Sequence, residues 1–173
     1  MEDGLEEKAS GFDDHAFVPM VSLEMNLAMF KSRWQLCDGI TEYLSEILGQ
    51  SHSDPARYTN FLSVAANELV ELAFRSTRAP GRIRFGLYRS ATFNRLRIAF
   101  PCEDAFDRRP TNATANERPP VAIAGSADAV MKPEETVLLR DLATIFRAAI
   151  RIEEDETHGM QIIADFPSRE DFQ

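Results

Sequence analysis

At 173 residues the chain has the length of one domain with a tail, enough to bury about 70% of the surface its unfolded form exposes without a disulfide or metal staple. Hydrophobic residues make up 44% and charged residues 27%, which excludes a collagen-like or wholly disordered chain. With 19 basic against 28 acidic side chains the net charge is −9, which argues against binding nucleic acid or anionic lipid through overall charge. The two cysteines, Cys37 and Cys102, stand far apart and make neither a zinc motif nor a disulfide framework. The first residues are acidic where a signal peptide is basic and then apolar, and no apolar run reaches the length of a membrane span. The expectation is a soluble, cytoplasmic protein.

Residues 1–16 carry six acidic side chains against one lysine and have little to bury, so they read as a disordered acidic tail ahead of a domain over 17–168, with a short second tail at 169–173. From Val21 to Leu27 apolar and polar residues alternate, the mark of a strand with one buried face. Phe30, Trp34, Cys37, Ile40, Leu44, Ile47 and Leu48 then recur at three and four residues, which predicts one amphipathic helix ending at Gly49 as a left-handed cap. Asp54 and Pro55 restart the chain as N-cap and first helical residue of a second helix running to Ser76. Its buried stripe is Tyr58, Phe61, Leu62, Ala65, Leu69, Leu72 and Ala73. In projection Glu68 falls on the edge of this stripe, while Asn67 and Glu71 point away.

Pro80 and Gly81 end that helix, and two strands follow, 82–89 and 95–100, with a turn around Thr92 to Asn94. Ile83, Phe85, Leu87, Leu96, Ile98 and Phe100 share one face, leaving Arg82, Arg84, Arg95 and Arg97 on the other. Residues 101–120 form a polar, proline-punctuated loop. Pro133, Glu134 and Glu135 open a third helix, with Leu138, Leu142, Ile145, Phe146 and Ala149 as its apolar stripe. Two strands close the domain, 150–154 and 160–166. The order predicts an α+β two-layer sandwich: a mixed, mostly antiparallel sheet with about three helices on one face.

With the elements in that order, the stretch from Val21 to Pro167 resembles the histidine-kinase-type ATPase superfamily (GHKL), which includes gyrase and the sensor kinases. The closer resemblance is to the bacterial anti-sigma serine kinases. It is carried by Ser63 to Ser76, with Asn67, Glu68, Leu69, Val70, Glu71, Leu72 and Ala73, and by Leu138 to Pro167, similar to the family's closing helix and strand pair. The resemblance implies a general base at Glu68 and, four residues on, an asparagine that ligates magnesium. This chain has Leu72 there, which offers no oxygen to a cation that takes oxygen ligands. It also implies an adenine-reading aspartate followed by glycines. Asp104 stands as the candidate, with no glycine after it. Where the family presents glycine backbone to phosphate, Pro133, Glu134 and Glu135 would set two carboxylates against a triphosphate.

The expectation is therefore a non-catalytic interaction module of bacterial signalling, in partner switching or two-component control, with no cofactor and Glu68 only vestigial. The alternative is an active ATP-dependent anti-sigma-type serine/threonine protein kinase that uses Mg-ATP, with Glu68 as base and Asp104 on adenine. Arg82, Arg84, Arg95 and Arg97 are the candidate surface for a regulatory protein partner of acidic character, although the plainer reading is the wet face of an antiparallel sheet. Residues 75–109 hold nine arginines against three acids, whereas 151–173 hold seven acids against two arginines, an asymmetry that steers encounters between opposite patches. Trp34, with Phe30 and Cys37, marks a possible homodimer face on the first helix, with packing on the sheet as the default. His15, His52 and His158 fall in predicted tail, loop and turn, so none reads as a phosphate-accepting histidine.

Overall fold

The computed structural model describes residues 17–33, 35–77, 80–102, 133–154 and 159–168. In chain order the elements are β1 (Val18–Asn26), α1 (Leu27–Ser32), α2 (Gln35–Gly49), α3 (Pro55–Ser76), β2 (Arg82–Arg89), β3 (Phe93–Phe100), α4 (Pro133–Ile145), β4 (Ala149–Glu154) and β5 (Met160–Pro167). The five strands form one sheet in the order β1-β2-β3-β5-β4, and every pairing is antiparallel. All four helices contribute side chains to a single core cluster with one face of this sheet, the two-layer α+β sandwich that the element order implied. The acidic tail, the 103–120 part of the long loop, Asp104, Trp34 and the 169–173 tail lie outside the described residues.

Local chemistry explains the boundaries. Asn26 ends β1 in an extended conformation, and its side-chain oxygen accepts from the backbone N–H groups of Ala28 and Met29, so α1 starts directly where the strand stops. Asp54 caps α3 by accepting from the Arg57 N–H at 3.2 Å, with Pro55 behind it as expected. The β2–β3 turn lies over Ser90 to Thr92 rather than Thr92 to Asn94. Ser90 Oγ accepts from the N–H groups of Thr92 and Phe93, which pins the turn at the serine.

Further expectations change: Ile145 is 65% exposed at the end of α4 and Ala149 begins β4, so neither belongs to a buried stripe of α4. The predicted single helix from Phe30 to Gly49 is two helices, because the backbone leaves the helical region at Arg33 (φ −138°, ψ 81°). The hydrophobic period runs on through this break, since both pieces bury apolar residues against the same core, and so periodicity hides it. Gly49 is not a left-handed cap; among described glycines only Gly81 has positive φ. Gly49 is instead a point of close approach, where an added Cβ would stand 2.2 Å from Thr59 Oγ1 of α3. The helix pair needs glycine there for room rather than for backbone freedom.

Helix α3 buries more than the predicted stripe. Ala66 and Val70 are enclosed as well, because α2 packs along that side while the sheet takes the other. At one end of the sheet a buried polar network ties the two layers. Tyr58 Oη donates to the Pro167 carbonyl at 2.7 Å and accepts from Asn94 Nδ2, and Asn94 Oδ1 accepts from Arg89 Nε. The same guanidinium donates to the carbonyls of Ile47 and Leu48 in the last turn of α2, satisfying groups that have no helical partner and placing a cation at the negative end of the helix dipole.

Candidate functional site

The pleat sends alternate residues of each strand to opposite faces. Towards the helices go Val21, Leu23 and Met25 of β1, Ile83, Phe85 and Leu87 of β2, Leu96, Ile98 and Phe100 of β3, and Ile162, Ala164 and Phe166 of β5. The register puts Arg84 opposite Ala99, Gly86 opposite Arg97 and Tyr88 opposite Arg95, so the four predicted arginines do share the second face. The same register brings Asp165 opposite Arg95, Ile163 opposite Arg97, and Gln161 between Ala99 and Glu153.

This second face is only in part the wet surface that antiparallel sheets commonly show: Ser22, Glu24, Arg82 and Arg84 on its β1–β2 side are exposed, whereas its β3–β5 part is closed. Asp165 is 0% exposed, and Gln161, Ile163, Ala99 and Arg95 are buried beside it, although the core cluster of the helix side includes none of these residues. Arg95 and Asp165 meet bidentately, Nε to Oδ1 at 2.6 Å and Nη2 to Oδ2 at 2.9 Å, the strong parallel geometry of a guanidinium on a carboxylate. The Phe17 ring lies over the outer side of the same guanidinium, with its centroid 3.8 Å away. A second chain of contacts crosses three strands. Arg97 Nε donates to Gln161 Oε1, Gln161 Nε2 donates to Glu153 Oε1 at 2.8 Å, and Arg151 Nε stands 3.6 Å from the other oxygen of Glu153. Phe17, Tyr88, Arg95, Arg97, Glu153, Gln161 and Ile163 line a half-open pocket of about 320 Å³ on this face. Tyr88 lies close over Gly86, where a Cβ would come within 2.8 Å of its ring, so glycine at that position lets the phenol settle across the sheet.

The four arginines therefore have different surroundings. Arg95 is held by Asp165 below and Phe17 above, and Arg97 is bonded to Gln161. Arg82 and Arg84 lie exposed near the β1 edge, with Arg82 paired to Glu24 at 2.8 Å.

On the helix layer, Glu68 is half-buried at the edge of the α3 stripe and makes no hydrogen bond or ion pair among the described residues. One turn on, Leu72 is 0% exposed, wholly inside the core. Asn67 lies on the outer side and accepts from the Thr41 hydroxyl of α2. Between α2 and α3 runs an open groove of about 610 Å³, lined by Asp38, Glu42 and Glu46 on one wall and Thr59, Asn60 and Ser63 on the other. Phe30 and Cys37 pack in the core, the default reading, and are closed to a dimer contact. Burial pushes the Cys37 thiol up from 9.0 to about 11, with Asp38 and Glu71 adding to it, so it is a poor nucleophile at neutral pH. Among the described residues no group of His, Cys, Asp and Glu is placed to hold a metal ion, and no helix is long and apolar enough to cross a membrane.

Sequence reasoning missed Asp165, Gln161 and Glu153. The available signal was a single carboxylate inside the otherwise apolar run from Ile162 to Phe166, because a charge in a central strand is rarely buried without a partner. No protein-family model, no curated protein and no solved structure matches this chain.

Proposed function

We propose that the chain is a non-catalytic interaction module of bacterial signalling, in partner switching or two-component control, working in the cytoplasm on a fold of ATPase descent that no longer binds nucleotide. The observation that supports this most is Leu72. The resemblance calls for a magnesium-ligating amide there, and the side chain present is apolar and wholly enclosed, in a place where an oxygen would be cut off from any cation in solvent. Glu134 and Glu135 in the first turn of α4 add to it, since carboxylates at a helix N-terminus occupy the electrostatic position a phosphate would take. Recognition then falls to a surface. The exposed Arg82 and Arg84 give the sheet face a basic rim suited to an acidic segment of a regulatory protein.

Isothermal titration of the full chain with Mg-ATP tests the reading. The expected result is no saturable heat at millimolar nucleotide. Micromolar affinity that depends on magnesium overturns it in favour of an ATP-dependent protein kinase using Glu68 as base, and Glu68→Gln would then abolish transfer to a protein substrate while leaving nucleotide affinity in place.

A further inference from the structure

The sheet ends in two edge strands, and they are finished differently. Among the described residues nothing pairs with the outer side of β4 or of β1. β4 has the features that keep an edge from pairing: it is six residues long, it holds Arg151, Glu153 and Glu154, and its inward Ile150 and Ile152 are 1% and 3% exposed under the helix layer. β1 has few of them. Pro19 and the register shift between Pro19 and Val21 interrupt its start, but from Val21 to Asn26 it contains no proline and one charge, Glu24. Its inward residues Val21, Leu23 and Met25 pack on the core yet stay only half-buried, whereas Ile83, Phe85 and Leu87 on the neighbouring strand are at most 1% exposed. Val18, Met20 and Met29, on β1 or directly after it, are exposed as well. An open row of backbone groups flanked by uncovered apolar side chains is the form of a strand that adds to another.

We propose that β1 pairs antiparallel with β1 of a second copy about a two-fold axis at Leu23, joining two sheets into one. The residue pattern selects this occupant. About that axis Leu23 stands opposite Leu23 of the second copy, Val21 opposite Met25, and Ser22 opposite Glu24, so apolar residues meet apolar ones towards the helices and no acid meets an acid on the other face. The axis is perpendicular to the sheet, which keeps the helices of both copies on one side and lets the half-buried residues of both strands extend a single apolar layer. Pro19, with no N–H to donate, falls outside the paired stretch. Each chain has one open edge and one guarded edge, and a strand that meets itself about a two-fold makes a closed contact, so assembly stops at two.

The test is sedimentation equilibrium of the full chain under a reductant, which keeps Cys102 from linking copies. The expected result is a reversible, concentration-dependent species of twice the 19.5 kDa chain mass. Ser22 is exposed on the face away from the helices, so it can be changed without touching the core. Ser22→Lys sets an ammonium opposite Glu24 of the second copy, which is bonded to Arg82 through one oxygen only, and Ser22→Glu sets a carboxylate there. Because the axis repeats the pair, the two substitutions should move the dissociation constant about 2- to 30-fold in opposite directions, tighter for lysine and weaker for glutamate. That difference should vanish in 1 M NaCl. In a mixture of isotope-labelled and unlabelled chains, intermolecular NOEs should join Leu23 to Leu23 and Val21 to Met25. A monomer at millimolar concentration overturns the proposal, as does a dimer on which both substitutions act alike or whose intermolecular NOEs lie elsewhere. Exchange protection of every amide from Val21 to Asn26 in the dilute monomer, rather than of the alternate ones bonded to β2, also overturns it, because the chain would then be covering this edge itself.

Discussion

The two faces of the sheet solve the same problem by different means. On the helix side, strands contribute Ile83, Phe85, Leu87, Leu96, Ile98, Ile162 and Phe166, and closure comes from removing apolar area from water, which needs no partner-by-partner matching. On the other side the same strands contribute Arg95, Arg97, Gln161, Asp165, Arg151 and Glu153, and each buried polar group must find its own partner. The apolar face tolerates exchange of one hydrophobe for another of similar volume, whereas the polar face depends on pairs.

The sharpest way to break the comparison is to remove one half of the buried pair. Asp165→Ala leaves the Arg95 guanidinium enclosed without a counter-charge, which costs about 3–5 kcal/mol, or a Tm lower by roughly 10 °C for a chain of this length. The double variant Arg95→Met, Asp165→Leu should regain most of that loss, because apolar residues of similar volume commonly replace a buried ion pair at little cost. Urea unfolding of the three proteins measures both effects. A single variant that loses less than about 1 kcal/mol would mean that water reaches Arg95 and that this side of the sheet is open.

A smaller effect sharpens the contrast from the helix side, where Cys37 is 1% exposed and the carboxylates of Asp38 and Glu71 oppose a charge on its sulfur. Its thiol keeps the proton in the folded chain up to about pH 11, while the unfolded thiol loses it near 9.0. Between these values the unfolded chain binds fewer protons than the folded one. Stability from this group is therefore fully present below pH 9 and falls as pH rises, with a slope of up to about 1.4 kcal/mol per pH unit. Unfolding free energies at pH 8, 9 and 10 should fall less steeply for Cys37→Ala than for the unaltered chain. Any cavity left by the substitution shifts all three values alike and leaves the difference in slope.

The helix side was legible in the sequence because its signals are local. Alternation marks the strands, three-and-four spacing marks the helices, and Asp54–Pro55 and Pro133 mark where two helices start. What escaped was set by tertiary packing. The break at Arg33 is masked because α1 and α2 both face the core. The burial of Ala66 and Val70 depends on α2 lying beside α3. The four arginines were placed on their common face correctly, but the partners of Arg95 and Arg97 come from β5, and Asp165 pairs with Arg95 only through the β3–β5 register. No local pattern encodes a contact between residues 95 and 165. The polar network of Tyr58, Asn94 and Arg89 is hidden for the same reason, since its members come from three elements and its acceptors from two more.

The smallest effect comes from the far end of the polar face, where Arg82 and Glu24 make an ion pair at 2.8 Å with side chains 71% and 44% exposed. Like Arg95 with Asp165 it joins a guanidinium to a carboxylate on the same face of the same sheet, but it does so through Nη1 to a glutamate rather than bidentately to an aspartate, and in exposed surroundings. A double-mutant cycle with Arg82→Ala and Glu24→Ala should give a coupling of about 0.2–1 kcal/mol that vanishes in 1 M NaCl, because water screens both groups. The weakness is itself useful: a guanidinium held so lightly is free to exchange its carboxylate for one on an incoming segment, as Arg95 is not. A coupling well above that range and insensitive to salt would show that closure of the face extends to the β1 edge. In that case Arg82 could not serve as the first point of contact, and an acidic partner would have to enter elsewhere.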